Sequence, residues 1–355
     1  MAYATQEDVF ELVEELMVGL FRDFGPGWSV PTPFVRIPYE EAVLRYGSDK
    51  PDLRNPLTIV EVSDLFGASG FQLFDGIIES GGVVRGLATP GVASRPRSFF
   101  DGLQAFAQQQ GAAGLAWLAR TSDGFTGPVA STMGTGLVER LVTRLARGLP
   151  GSPSVMPEGA ALFLLAGDRA EVTRWAGLLR LQLGRQLELD ESEAYRFAWI
   201  TDFPLYELDQ ETRQITFSHN PFSMPQGGLE ALQSLPPLQV RAWQYDIVCN
   251  GVELSSGAVR NHRPDIMRLA FEIGGYEPDQ VEAEFGALLR AFRSGCPPHA
   301  GIAPGLERIV MLLANVPNLR EVTPFPKDSR GRDLMMDAPS MVASAQLRDL
   351  GLALK

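Results

Sequence analysis

The sequence predicts an α+β protein of more than one domain. Three stretches carry that prediction: an amphipathic helical repeat over 6–22, an Asn-Gly turn between two apolar-rich runs near 250, and alternating strand-like and helix-like segments from about 70 to 165. With 355 residues and 45% hydrophobic content, the chain has material for two or three buried cores. No apolar run approaches the roughly 20 residues of a membrane span. The acidic opening "MAYATQEDVFELVEELM" resembles neither a signal nor a transit peptide, so the expected compartment is the cytoplasm, with no membrane partner. Cys249 and Cys296 cannot form a disulfide framework, and the 3 histidines join no Cys/His cluster at zinc-ligand spacing. A net charge of −12 argues against a broad grip on nucleic acid. A local basic path through Arg140, Arg144, Arg147, Arg180 and Arg185 stays open, its alternative being a solvated helix face.

Taken in order, residues 6–22 place Val9, Phe10, Val13, Leu16, Met17, Leu20 and Phe21 on one helical face, with Thr5 as N-cap and Gly25 beyond the end. Prolines punctuate "WSVPTPFVRIPYEEAVLRYGSDKPDLRNP" around a short helix near Glu40 to Arg45, and a junction is expected near 55–70. A smaller α+β unit follows, with strands at "GVVRGLAT", "GLAWLAR" and "ALFLLAG" and helices at "RSFFDGLQAFAQQQ" and "TGLVERLVTRLARGL". This unit reads as an insert, dividing the chain into 1–69, 70–165 and 166–355. Helix 168–187 then returns the chain to strands, "RFAWITDFPLYEL" and "RQITFSHNPF", joined by the turn "DQETR".

Chemistry gathers in "YDIVCNGVELSSGAVRNHRPDIM", residues 245–267. Asn250-Gly251 is a strong hairpin signal, because both central residues of a type I′ turn need positive φ. A two-residue loop sets Cys249 opposite Val252, Val248 opposite Glu253 and Asp246 opposite Ser255. Asp246 and Glu253 then project from one face as diagonal neighbours about 7 to 8 Å apart between Cα atoms. Two carboxylates so placed suit Mg²⁺ on the phosphates of a nucleotide; the alternative is an ordinary hairpin with its polar face in water. Arg260, behind the small residues Ser255, Ser256 and Gly257, suits bidentate capture of a carboxylate, or is a surface arginine. His219, in the proline-bounded loop "SHNPFSMP", can hydrogen-bond a small acidic ligand or play a structural part, while His262 and His299 read as structural. In "HAGIAPGLERIVMLL" a glycine turn at Gly301 and Gly305 leads into an apolar helix, with Arg308 either snorkelling or facing an anion at the helix start. No Walker loop, Rossmann fingerprint, nucleophile elbow or Cys/His dyad occurs.

Laid end to end, these stretches resemble the bacterial-type aspartyl-tRNA synthetases, which are class II enzymes. The resemblance runs through "PTPFVRIPYEEAVLRYGSDKPDLR", the 70–165 segment, "WITDFPLYE", "SHNPFSMP", "YDIVCNGVELSSGAVRNHRPDI", "GCPPHAGIAPGLERIVMLL" and "NLREVTPFPKDSRGRDLMMDAPS". It implies a class II catalytic domain, an antiparallel sheet flanked by helices and here incomplete, interrupted by a small α+β domain. It also implies that "GIAPGLER" is motif 3, with Gly305, Leu306, Glu307 and Arg308 at ATP, and that Asp246 and Glu253 handle ATP and Mg²⁺. Arg260 is implied to clamp the side-chain carboxylate of L-aspartate, and His219 to sit in the amino-acid pocket, where Asn220 replaces a histidine that many relatives carry. The implied partners are L-aspartate, ATP, tRNA(Asp), tRNA(Asn) as a further acceptor, and a second copy in a homodimer.

Nothing in the sequence matches the family's anticodon-binding OB fold, its motif 1, its Gln/Lys amino-acid loop or the motif 2 arginine. "MAYATQEDVFELVEEL" is similar to the stretch after motif 2, which would leave a sheet edge and an apolar face uncovered. The expectation is a truncated aspartate-tRNA ligase with impaired or no activity alone. The rival is a short paralogue that binds ATP, aspartate or a protein partner. An ATP-dependent aspartate-amidating enzyme on the same fold lacks such an insert, which weighs against it.

Overall fold

In the computed structural model, which describes residues 1–353, helix α1 (Gln6–Phe24) begins at a reciprocal cap. The Asp8 amide donates to the Thr5 hydroxyl, and the Thr5 amide donates to the Asp8 carboxylate. The chain divides into two compact units, residues 1–304 and residues 305 onward. Val9, Phe10, Val13, Met17 and Phe21 form the buried face of α1, while Leu16, at the flank of that arc, is 47% exposed rather than buried. Strand β1 (Val35–Pro38) runs straight into α2 (Tyr39–Tyr46). Helix α2 stops at Gly47, where φ is 73° and an added Cβ would lie 2.5 Å from the Cα of Gly177.

The next elements build a sheet of their own. They are β2 (Val60–Glu61), α3 (Gln72–Glu79), β3 (Val83–Thr89), α4 (Arg97–Gln109), β4 (Ala116–Thr121), β5 (Gly124–Thr126), α5 (Pro128–Thr132), α6 (Thr135–Ala146), β6 (Ala161–Gly167) and α7 (Arg169–Gln186). The strand order is β2-β3-β6-β4-β5, antiparallel throughout. Helices cover both faces, which is why β3 and most of β6 are buried along their length. One core joins Val84, Leu162 and Leu164 to Val138 and Leu141; the other joins Leu87, Phe163 and Leu165 to Phe100, Val172 and Ala176.

The remaining elements of the first unit are β7 (Phe197–Thr201), β8 (Tyr206–Leu208), β9 (Ile215–Phe217), α8 (Gly228–Ser234), β10 (Gln244–Cys249), β11 (Val252–Val259), α9 (Pro264–Ile273), α10 (Pro278–Arg293) and β12 (Ala300–Pro304). A second five-stranded sheet has the order β1-β7-β10-β11-β12, parallel between β1 and β7 and antiparallel elsewhere. Helix α1 packs on one face, Phe10 stacking on Trp199 at 3.9 Å between centroids and Phe21 meeting Phe197 edge-on at 5.0 Å. The opposite face carries Ile37, Ala42, Ala198, Ile200, Phe203 and Val248. Residues 1–3 pair with 298–300, Ala2 bridging His299.

The hairpin between β10 and β11 turns as expected, with φ of 51° at Asn250 and 82° at Gly251. Cys249 faces Val252 and Val248 faces Glu253, but the register then slips. Ile247 faces Ser255, so Asp246 faces Ser256 and not Ser255, because Leu254 is an extra residue in β11 that forms a bulge. A second departure concerns Gly301: it lies within β12, paired with Ala258, and an added Cβ would meet nothing within 4 Å. "GIAP" is therefore strand and not a glycine turn. The second unit contains α11 (Leu306–Leu313) and α12 (Ser344–Asp349), Gly305 being the N-cap of α11 at a negative φ. Among the described residues no helix is long and apolar enough to cross a membrane.

Arg180 corrects the idea of a basic path. It is 1% exposed, its Nε donating to the Leu57 carbonyl at 2.6 Å and its Nη2 to the carbonyls of Asp52 at 2.9 Å and Asn55 at 2.6 Å. Burial draws its pKa down to about 10, so it stays charged at neutral pH while closing backbone acceptors that helix and sheet leave open. Arg144, by contrast, pairs with exposed Asp64. Arg180→Met is expected to lower the urea midpoint by about 3 kcal/mol of stability with unchanged slope. Arg144→Met should stay within about 0.5 kcal/mol. Equal effects would contradict the structural assignment of Arg180.

Candidate active site

On the sheet face away from α1, the bulge in β11 aligns Asp246 and Ser256 across the two central strands. Asp246 is 4% exposed and its Oδ1 has no partner. Burial pushes its pKa up to about 7; a hydrogen bond from Ser256 opposes that rise, and the nearby charge of Glu253 adds to it. Glu253, on the same face, receives Lys50 Nζ at 3.4 Å from Oε2. Lys50 also binds Asp49 at 2.7 Å. Lys50 thus pairs with both Asp49 and Glu253, and all three charges act on Asp246, where the sequence showed only a carboxylate pair.

His219 comes to the same place from the loop after β9. Its ring meets Phe203 at 5.0 Å and Tyr39 at 6.0 Å, both edge-on. Burial lowers its pKa against the opposing charges of Asp49 and Glu207, so the imidazole is neutral at pH 7. The loop is held by its own backbone: Asn220 Oδ1 accepts the Phe222 amide at 2.9 Å, and Met224 donates to the Val259 carbonyl at 2.9 Å. That second bond sets Ser223 beside Arg260, bridged antiparallel.

Arg260 follows directly on β11, its amide donating to the His299 carbonyl at 2.8 Å. It opens on a cavity of about 410 Å³ lined by Phe222, Ser256, Asn261, His299, Gly301 and Ala303, among others. Ser256 therefore belongs to both places, lining the cavity and bonding Asp246. Between Ser256 and Ala258 the strand is tight at Gly257, where an added Cβ would lie 2.4 Å from the Gly301 carbonyl oxygen and 2.7 Å from the Tyr245 ring. His299 has Nδ1 3.0 Å from the Pro297 carbonyl. Gly305 caps α11 and Leu306, Glu307 and Arg308 form its first turn, all in the second unit.

A divalent cation fits the Asp246 and Glu253 side chains. Both offer oxygen donors, and one of those oxygens is buried without a partner. Among the described residues no three His, Cys, Asp or Glu side chains are grouped to hold a metal by themselves. The pair thus suits an ion that takes its other ligands from water and phosphate, the habit of Mg²⁺.

Asp49 and Lys50 were missed in the sequence. Their signal was "YGSDKPD", a charged pair just past a helix-ending glycine, but local pattern cannot say which sheet such a loop faces.

The family model described as tRNA synthetases class II (D, K and N) matches residues 1–329. The aspartate–tRNA(Asp/Asn) ligase of Acidiphilium cryptum is 54% identical over 355 residues, 100% of this chain and 58% of that protein. That of Gluconobacter oxydans is 51% identical over 356 residues, with the same shares of the two chains. The aspartate–tRNA ligase of Streptomyces avermitilis is 51% identical over 356 residues, again 100% of this chain and 58% of that one. The chain thus spans 58% of the length of these curated relatives.

The raised pKa of Asp246 has a definite sign. The stability it contributes is fully present below its unfolded value of about 3.8 and is lost as pH rises through about 7. Urea unfolding in the presence of a chelator should show the wild-type chain losing up to about 4 kcal/mol relative to Asp246→Asn between pH 4 and 8. Parallel profiles for the two proteins would remove the assignment.

Proposed function

Because the chain belongs to the class II tRNA synthetases (D, K and N), we propose that its first unit carries the aspartate and nucleotide site of an aspartate–tRNA ligase. The observation that carries this reading is one strand pair presenting two things at once. Asp246, with its unpartnered oxygen, stands beside Glu253, and Arg260 stands four residues beyond Ser256 at a cavity of ligand size. The relatives' printed names support L-aspartate and tRNA(Asp) as substrates, with tRNA(Asn) a second acceptor following the Acidiphilium protein.

In this reading Arg260 grips the side-chain carboxylate of aspartate, a planar fork on a planar anion. His219, uncharged, hydrogen-bonds the bound amino acid without adding a cation that would compete with Arg260. Asp246 and Glu253 hold the Mg²⁺ that accompanies ATP, an ion that supplies charge neutralisation at the phosphates. Gly305, Leu306, Glu307 and Arg308 keep a nucleotide-binding role on the strength of their motif. One oxygen of the aspartate α-carboxylate then attacks the α-phosphorus in line. The bond from that phosphorus to the bridging oxygen breaks, and pyrophosphate leaves. A terminal ribose hydroxyl of tRNA next attacks the carbonyl carbon of the mixed anhydride, giving aspartyl-tRNA and AMP. Both steps need positioning and charge neutralisation and no protein nucleophile.

The complete enzyme is proposed to work as a cytoplasmic homodimer. The 355 residues alone are proposed to be impaired, since no match to the family's motif 2 arginine is recognisable in them. ATP–pyrophosphate exchange by the 355-residue chain should lie far below that of a full-length relative measured alongside; a comparable rate would overturn this part of the reading. Calorimetry tests the pocket itself: Arg260→Leu should weaken L-aspartate binding at least about 30-fold, the loss of one charge-assisted bidentate contact, and leave ATP binding within about twofold. Unchanged aspartate affinity would remove Arg260 from the site.

A further inference from the structure

Lys50 plays no part in the mechanism above, yet its place is strongly determined. Gly47 ends α2 in the left-handed region and packs on Gly177 of α7, which anchors the loop that follows. Within that loop Ser48 Oγ accepts the Lys50 amide at 3.0 Å. The ammonium then stands 2.7 Å from Asp49 Oδ2 and 3.4 Å from Glu253 Oε2, with side-chain exposures of 37% for Lys50, 21% for Asp49 and 23% for Glu253. Burial by itself would lower the Lys50 pKa, but the hydrogen bond and charge of Asp49 and the charge of Glu253 outweigh it and hold the ammonium above its ordinary range. It is charged wherever the protein is folded near neutral pH.

A fixed ammonium on one carboxylate of a cation pair acts with two signs. Towards a free divalent ion it is a competitor, because the ion must displace it to reach Glu253. Towards a triphosphate it is an attraction, and Asp49 keeps it within reach once it leaves Glu253. We propose that Lys50 is a positioning residue of the nucleotide site, a tethered counter-ion that holds Glu253 against free divalent cations and yields it to a cation that arrives with phosphate. The idea rests on the reading of Asp246 and Glu253 as the cation pair, and the unpartnered, buried Oδ1 of Asp246 is the independent sign that this pair has a ligand to receive.

The test is a Mn²⁺ titration of the full 355-residue chain, read by the electron paramagnetic resonance of free Mn²⁺, with folding checked by circular dichroism. Lys50→Met should bind Mn²⁺ about tenfold more tightly than wild type, the worth of removing one partly buried competing charge. Lys50→Arg should stay within about twofold of wild type, and the gain should vanish when Glu253→Gln is added to Lys50→Met. Lys50→Gln replaces the Met variant if that one fails to fold. Mg·ATP, titrated separately by calorimetry, should bind Lys50→Met more weakly than wild type, a reversal of sign that general damage to the site would not produce. Mn²⁺ affinity in the Met or Gln variant no higher than in wild type overturns the proposal, as does a gain that survives Glu253→Gln. If Mg·ATP binds neither wild type nor variants while the Mn²⁺ gain holds, the nucleotide reading of the site fails and the competition between Lys50 and the ion stands.

Discussion

The two-residue turn at Asn250 and Gly251 is the constraint on which the site depends. Both residues take positive φ, which restricts the turn to one geometry and sets the register of the two central strands. Asn250 also fastens the turn to the start of β7, its Oδ1 accepting the Arg196 amide at 2.9 Å and its Nδ2 donating to the Ala194 carbonyl at 3.0 Å. The hairpin is thus pinned at its tip as well as along its ladder. Every polar group of the cluster that comes from β10 or β11 takes its position from that register.

The bulge at Leu254 refines what the turn begins. An unbroken ladder would pair Asp246 with Ser255, a residue that lies buried at 3% exposure with an unpartnered hydroxyl. The extra residue moves Ser256 into that place, so the hydroxyl that bonds Asp246 is also one that lines the cavity beside Arg260. A single inserted residue therefore couples the carboxylate pair to the arginine pocket, with no long connection between them.

Two of the buried charged residues of this unit, Arg180 and Asp246, follow different physics. Arg180 meets carbonyl oxygens at its Nε and Nη2 donors, and it ties the segment at 52–57 to α7. Asp246 is left with an oxygen unsatisfied and a pKa pushed up to about 7. A protein optimised for stability alone would not retain such a carboxyl. Its cost is explicable if a ligand completes it, which is the same inference that the neighbouring Lys50 and Glu253 invite.

Much of this was legible in the chain. The helix expected over 6–22 and found at 6–24, the strands and helices between 83 and 167 and the Asn-Gly hairpin rest on periodicity, capping or turn chemistry, which act within a few residues, while Asp246, Glu253, Arg260 and His219 could be named only as candidates. What escaped was set by partners distant in sequence. Leu254 looks like any strand residue until the neighbouring strands choose a bulge. Gly301 reads as a turn glycine until Ala258 pairs with it. Arg180 reads as a surface arginine until the carbonyls at 52, 55 and 57 close around it. Lys50 reads as a loop cation until Gly47 settles on Gly177 and aims the loop at Glu253. Local sequence determined which elements form and which residues could carry chemistry, because φ preferences and apolar spacing are properties of neighbouring residues. Tertiary structure alone decided which charges share a site, because burial and ion pairing depend on contacts between segments as far apart as residues 50 and 253.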